Sequence, residues 1–117
     1  MTQQETEIQL WSKALNNLQQ ENIQMKNRLA DLIKGIEDDH TLDEAESFLN
    51  RFISKDAVFA LMRHDIAAHL KNLEECTASG LLLSRKHEVL QSDLLKIENE
   101  LNKLKLEFEE YISSKLV

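Results

Sequence analysis

The chain has 117 residues, enough for one domain, with 30% charged residues, 5% aromatic residues, two glycines and no proline. This composition is typical of long helices, because the residues that favour strands and turns are scarce. The 14 basic and 21 acidic residues give a formal net charge of −7. They are interspersed along the chain, which argues against nucleic-acid binding because phosphates repel an acidic surface.

Three features of the sequence predict a cytoplasmic protein. The N-terminal segment MTQQETE has neither a basic start nor an apolar run, so we expect no signal peptide. No apolar run approaches the roughly 20 residues that a membrane span requires. The single cysteine, Cys76, cannot form an intramolecular disulfide and fits a reducing compartment.

Apolar residues in the first third of the chain recur at alternating steps of three and four, which indicates the heptad seam of a packed helix. After Ile36 an acidic stretch, residues 37–40, carries no seam residue, and Thr41 and Glu44 have the spacing of a capping box. We therefore predict a first helix over about 5–36 and a turn at about 37–41. The seam consists of Ile8, Trp11, Leu15, Leu18, Asn22, Met25, Leu29, Leu32 and Ile36.

Two further seams, from Ala45 to Cys76 and from Leu83 to Tyr111, predict helices over about 42–78 and 81–115. Between them, residues 77–80 form a weakly helical stretch that ends in Gly80. Glycine closes a helix in the left-handed conformation without penalty, which favours a reversal there. The two seams are in phase across Gly80, so one continuous helix of about 75 residues, roughly 110 Å long, is the alternative.

The similar lengths of the three segments, roughly 50 to 57 Å each, favour a bundle. Folding about position 78 pairs apolar seam residues at nearly every level, from Leu73 with Leu83 to Phe48 with Phe108. We predict a single all-α domain over residues 1–117, with three long antiparallel helices in an extended, coiled-coil-like bundle.

Apolar residues beside the seams predict a contact surface for other helices. A thin bundle also has little core per residue, which favours self-association. The predicted partners are a second copy of the chain, another helical protein, or both, with no nucleic acid and no membrane. The residues expected at this surface are Leu10, Ile23, Ile33, Leu61, Leu95, Leu106 and Ile112.

Polar residues interrupt the seams at two levels. Asn22 occupies a position where asparagine fixes helix register at a cost in stability, and folding about position 39 sets it beside Lys55 and Asp56. His69 and His87 fall opposite each other in the hairpin. Two such imidazoles can hydrogen-bond, form a pH-sensitive layer or bind a metal. No third ligand occupies a neighbouring seam position, so we expect no metal.

The octet RHDIAAHL, residues 63–70, places His64 at an exposed helix position beside Asp65. It resembles the phosphoacceptor box of one branch of sensor histidine kinases and their phosphotransferase relatives. The resemblance implies that His64 accepts a phosphoryl group, that Asp65 orients it, that Arg63 is the flanking base and that His69 is the second histidine. Ala68 departs from the family pattern, which commonly has an amide or hydroxyl residue there. Without a nucleotide-binding lid, such a module could only relay phosphoryl groups made elsewhere.

No other motif indicates catalysis. The acidic turn lacks the spacing and the glycine of an EF-hand loop, and Cys76 has no basic neighbour to activate it. The ends of long helices also offer no concave pocket for a small substrate. The sequence therefore predicts a non-catalytic interaction or scaffold protein without cofactors, and a histidine phosphotransfer module using His64 is the alternative.

Overall fold

Three long α-helices make up almost the whole chain. The structure, a computed structural model, describes residues 2–75 and 79–116. The helices are α1, Gln3–Lys34, α2, Asp39–Glu75, and α3, Gly80–Tyr111, and a short π-helix, Ile112–Leu116, continues α3. There is no strand in these two ranges. The predicted all-α class and the number of long helices are confirmed.

The helices run up, down and up along a bundle of 58 × 19 × 18 Å. The rings of Phe48 and Phe108 lie 5.7 Å apart, and those of His69 and His87 lie 5.3 Å apart. Along the bundle, residue numbers increase on α2 in the direction in which they decrease on α3, so these two helices are antiparallel. The predicted reversal is therefore confirmed, and the continuous helix of about 110 Å does not form.

The seam residues of all three helices meet in one continuous core. Phe52, Phe59 and Phe108 are fully buried in it. Burying one such side chain contributes roughly 1.5 to 3 kcal/mol, so the seams supply the main driving force for folding. Aromatic residues concentrate at the end of the bundle near the first turn, where Phe48 also contacts Tyr111.

The first turn, at residues 35–38, overlaps the predicted turn at about 37–41 but lies earlier, because the next helix begins before the expected residue. α1 ends at Lys34 with Gly35 as its C-cap, and α2 begins at Asp39. The Asp38 carboxylate accepts hydrogen bonds from the backbone N–H of Thr41, at 2.8 Å, and from its hydroxyl, at 2.7 Å. The predicted capping role of Thr41 is therefore wrong: aspartate is an equally strong cap, and it lies three residues earlier. The hydrogen bonds from Thr41 lower the pKa of Asp38.

At the second reversal, α2 ends at Glu75 and Ser79 caps α3 by accepting a hydrogen bond from the backbone N–H of Leu82, at 3.2 Å. Gly80 is the first residue of α3 rather than the end of α2, so its predicted left-handed role is wrong. Residues 76–78, which include Cys76, the predicted end of the second helix and part of the predicted turn, lie outside the described residues.

Candidate functional site

A layer of three polar side chains, Glu7, His69 and His87, crosses the bundle; we call it the histidine layer. His69 Nε2 lies 3.1 Å from His87 Nδ1, and His87 Nε2 lies 2.9 Å from the Glu7 carboxylate. Both imidazoles are buried and Glu7 is partly exposed. Because each helix contributes one residue, the layer joins all three helices at a single level.

Apolar and charged neighbours shift the pKa values of His69 and Glu7 in the histidine layer. The Trp11 ring packs 4.4 Å from the His87 ring and excludes water from one side. Burial is the largest cause that lowers the pKa of His69, and electrostatic interactions with His87 and Lys86 act in the same direction. The hydrogen bond from His87 lowers the pKa of Glu7.

Sequence reasoning placed the two histidines opposite each other but missed Glu7. The sequence did contain a signal for Glu7, because folding the chain about position 39 places residue 9 of α1 at the same level as His69. Glu7 immediately precedes the seam residue Ile8, at a position that borders the core. A carboxylate at that position can reach a buried imidazole from the edge of the bundle.

The three side chains of the histidine layer lie in a row rather than around one point, because His87 Nδ1 faces His69 and His87 Nε2 faces Glu7. Zinc sites in proteins use three or four protein ligands. Within residues 2–75 and 79–116, no group of three or more His, Cys, Asp or Glu side chains is placed to hold a metal ion. Glu7 instead bonds to the outer nitrogen of His87, so the geometry suits hydrogen bonding and proton exchange.

The second polar level centres on Asn22, which is fully buried. Its Nδ2 donates to the backbone carbonyl of Phe52 and to Asp56 Oδ1, both at 3.0 Å. Lys26 donates to the other Asp56 oxygen at 2.6 Å. Lys55 does not join this group, because adjacent helical residues point about 100° apart. Its ammonium lies 3.8 Å from Glu100 on α3.

The His64 side chain is 79% exposed on the outer face of α2, and its Nδ1 lies 3.5 Å from Asp65 Oδ1. The other residues of the octet point elsewhere. Arg63 donates to Asn16, at 2.6 Å, and to Gln19 on α1. His69 is buried in the histidine layer. The structure thus leaves His64 and Asp65 together at the surface, with Arg63 extending across the surface to α1 and His69 buried in the core.

The seven residues predicted to contact partners are distributed around the bundle. Leu10 and Ile23 lie 13 residues apart on α1, a rotation of roughly 220° about the helix axis, so they face different sides. Ile33 and Ile112 are half-buried, and Ile112 packs against the core. The exposed members are Leu10, Ile23, Leu61, Leu95 and Leu106.

Leu61 differs from the other exposed members because it lines a cleft between α2 and α3. The cleft has a volume of about 240 Å³. Its apolar lining includes two exposed side chains of α2, and charged residues of both signs surround them. The lining residues are Val58, Leu61, Met62, Asp65, Asp93, Lys96, Ile97 and Glu100.

Comparison with known protein families, with curated proteins and with solved structures found no match to the chain. Within the described residues, no helix combines the length and the apolarity needed to cross a membrane.

Proposed function

We propose that the chain is a non-catalytic helical-bundle protein, of cytoplasmic location, that acts as an interaction or scaffold module by packing its α2–α3 face against another helical surface. The observation that carries this proposal is the cleft lined by Val58 and Leu61. Both side chains are exposed, Leu61 at 62%, although their apolar surface would be more stable out of water. Exposed apolar residues rimmed by polar groups are typical of interaction sites.

The partner that we infer is a second copy of the chain, because the cleft carries charges of both signs that a two-fold axis can pair. Lys96 lines the cleft together with three carboxylates, those of Asp65, Asp93 and Glu100. In a two-fold symmetric dimer both copies use the same surface patch, so a residue near the axis contacts residues that lie beside its equivalent in the other copy. The Lys96 ammonium of one copy can therefore approach the carboxylates of the other, while the two Leu61 side chains are buried between them.

Sedimentation equilibrium of the full chain and of two matched variants tests this assignment. Leu61→Glu adds a fourth carboxylate to the cleft. Leu106→Glu is its control, because Leu106 is exposed to nearly the same extent, 61%, and does not line the cleft. We expect the native chain to dimerise, with a dissociation constant raised at least about tenfold by Leu61→Glu and unchanged by Leu106→Glu, since a buried unpaired charge costs several kcal/mol. A native chain that stays monomeric, or equal effects of both variants, would reject it.

A second candidate function, histidine phosphotransfer, is favoured by the position of His64. Asp65 lies against Nδ1 of this imidazole, which leaves Nε2 open to solvent. The test is the rate of phosphorylation by phosphoramidate, measured by mass spectrometry. His40 is the internal control, since its side chain is 83% exposed. Phosphotransfer chemistry requires faster modification of His64, and equal rates at the two histidines would reject it.

A further inference from the structure

The histidine layer contains a buried nitrogen without a hydrogen-bond partner among the described residues, His69 Nδ1. Buried polar atoms of folded proteins are nearly always paired, so an exception calls for a physical account. The positions of the protons in the histidine layer supply that account.

One arrangement of ring protons satisfies both hydrogen bonds while the two imidazoles are neutral. The Glu7 carboxylate can only accept, so the Nε2–H group of His87 donates to it. His87 Nδ1 then carries a lone pair and accepts the Nε2–H group of His69. His69 Nδ1 is left without a proton, as an unpaired acceptor. The opposite arrangement would turn an unprotonated nitrogen of His87 toward the carboxylate, where two lone pairs repel.

If the neutral pair of imidazoles takes up one more proton, His69 Nδ1 is the only ring nitrogen that can accept it. The other three ring nitrogens already take part in the two hydrogen bonds. If the shared proton moves from His69 to His87, the positive charge shifts toward Glu7, but His69 Nδ1 still holds an N–H group with no acceptor. Because water does not reach this atom, its burial opposes protonation.

The charged groups around His69 come from two other helices. Glu7 on α1 favours a positive charge in the layer, whereas Lys86 on α3 opposes it. The pKa of His69 is lowered from 6.5, chiefly by burial. The unfolded chain therefore binds a proton near pH 6.5 that the folded chain does not, and the free energy of unfolding decreases as the pH falls below that value. The pKa of Glu7 lies below 4.5, so this carboxylate affects stability only in more acidic solution.

We propose that the histidine layer makes one end of the bundle acid-sensitive: when His69 takes up a proton, the parts of α2 and α3 that meet there separate while the aromatic end stays folded. His69 is six residues from the end of α2, about 9 Å along the helix. Opening this end separates few core contacts, and such local openings need less free energy than global unfolding. The inference goes beyond the proposed function and does not depend on it.

Hydrogen exchange of backbone amides in the full native chain tests the proposal at pH 7 and pH 5, after correction for the intrinsic effect of pH. We expect protection over residues 66–75 and 80–90 to fall by up to about 25-fold between pH 7 and pH 5, the limit for one proton bound with a pKa near 6.5 in the open state. Protection over residues 48–55 and 101–108 should change much less. Equal loss at both ends, or no loss, would overturn the proposal.

A matched pair of variants assigns the effect to one residue. His69→Gln retains an N–H donor for His87 Nδ1 and does not titrate, so it should abolish the fall in protection. His64→Gln removes an exposed histidine and should leave the fall unchanged. A fall that persists in His69→Gln contradicts the proposal. If His69→Gln does not fold, the exchange pattern of the native chain decides alone.

Discussion

The side-chain amide of Asn22 on α1 donates a hydrogen bond to the backbone carbonyl of Phe52 on α2, at 3.0 Å. The same side chain has an oxygen, Oδ1, that is buried without a hydrogen-bond partner among the described residues. Asn22 therefore fixes the register of α1 against α2. Its unpaired oxygen lowers the stability of the bundle, as is typical of an asparagine in a heptad seam.

Asn22→Leu should raise the free energy of unfolding by about 1 to 2 kcal/mol, because it replaces an imperfectly paired polar group by an apolar one of similar volume. Phe52 keeps its position in α2, and Asp56 keeps its ion pair with Lys26. Urea denaturation measures the change. Asn22→Ala is the control for side-chain volume and should be destabilising. A less stable Asn22→Leu would show that the hydrogen bonds of Asn22 stabilise the fold overall.

The aromatic end depends on Phe108, whose ring lies 5.7 Å from Phe48 and 5.8 Å from Phe52. Phe108→Ala leaves a cavity and should lower the free energy of unfolding by about 3 to 5 kcal/mol. Leu106→Ala, two residues earlier on the exposed side of α3, should change it by less than about 0.5 kcal/mol. Chemical denaturation of both variants measures the difference, and similar losses would contradict the burial of Phe108.

Gly80 offers a test of the second reversal. As the first residue of α3 it has no left-handed conformation, and a Cβ atom added to it would meet no other atom within 4 Å. Gly80→Ala should therefore raise the free energy of unfolding by about 0.5 kcal/mol, since it restricts the unfolded chain. Thermal and urea unfolding measure this. A clear decrease would mean that Gly80 needs the backbone freedom of glycine.

Ser79 caps α3, so its hydroxyl should contribute to stability. Ser79→Ala removes the acceptor for the N–H group of Leu82 and should lower the free energy of unfolding by about 1 kcal/mol. Ser79→Asp provides another acceptor and should preserve it. The comparison is made by urea denaturation. If alanine and aspartate behave alike, the cap has no energetic role.

Heptad spacing predicted the fold well because burial of a seam dominates the energetics of long helices. The spacing of the seams placed Phe48 opposite Phe108, and the turn it predicted at about 37–41 overlaps the observed turn at residues 35–38. Capping was less predictable, since Asp38 and Thr41 are both good caps and lie one turn apart. Small differences in hydrogen bonding choose between such residues, and the sequence alone does not rank them.

Side chains at the edges of the seams were harder to predict than those within them. Lys55 was expected beside Asn22, but a seam in a three-helix bundle borders two partners, and Lys55 extends toward α3. Glu7 was missed because its role depends on the level at which α1 passes α3. Both outcomes depend on the rotation of each helix about its axis, which spacing constrains only to within a fraction of a turn.

Small-angle X-ray scattering of the purified full chain, with its mass determined by light scattering, tests the folded-back bundle most directly. The structure has a radius of gyration of 18.1 Å and a longest dimension of 58 Å. We predict a maximum dimension near 60 Å, for a monomer or for two copies side by side. A rod longer than about 100 Å would contradict the reversal between α2 and α3, because a continuous helix of about 75 residues has that length.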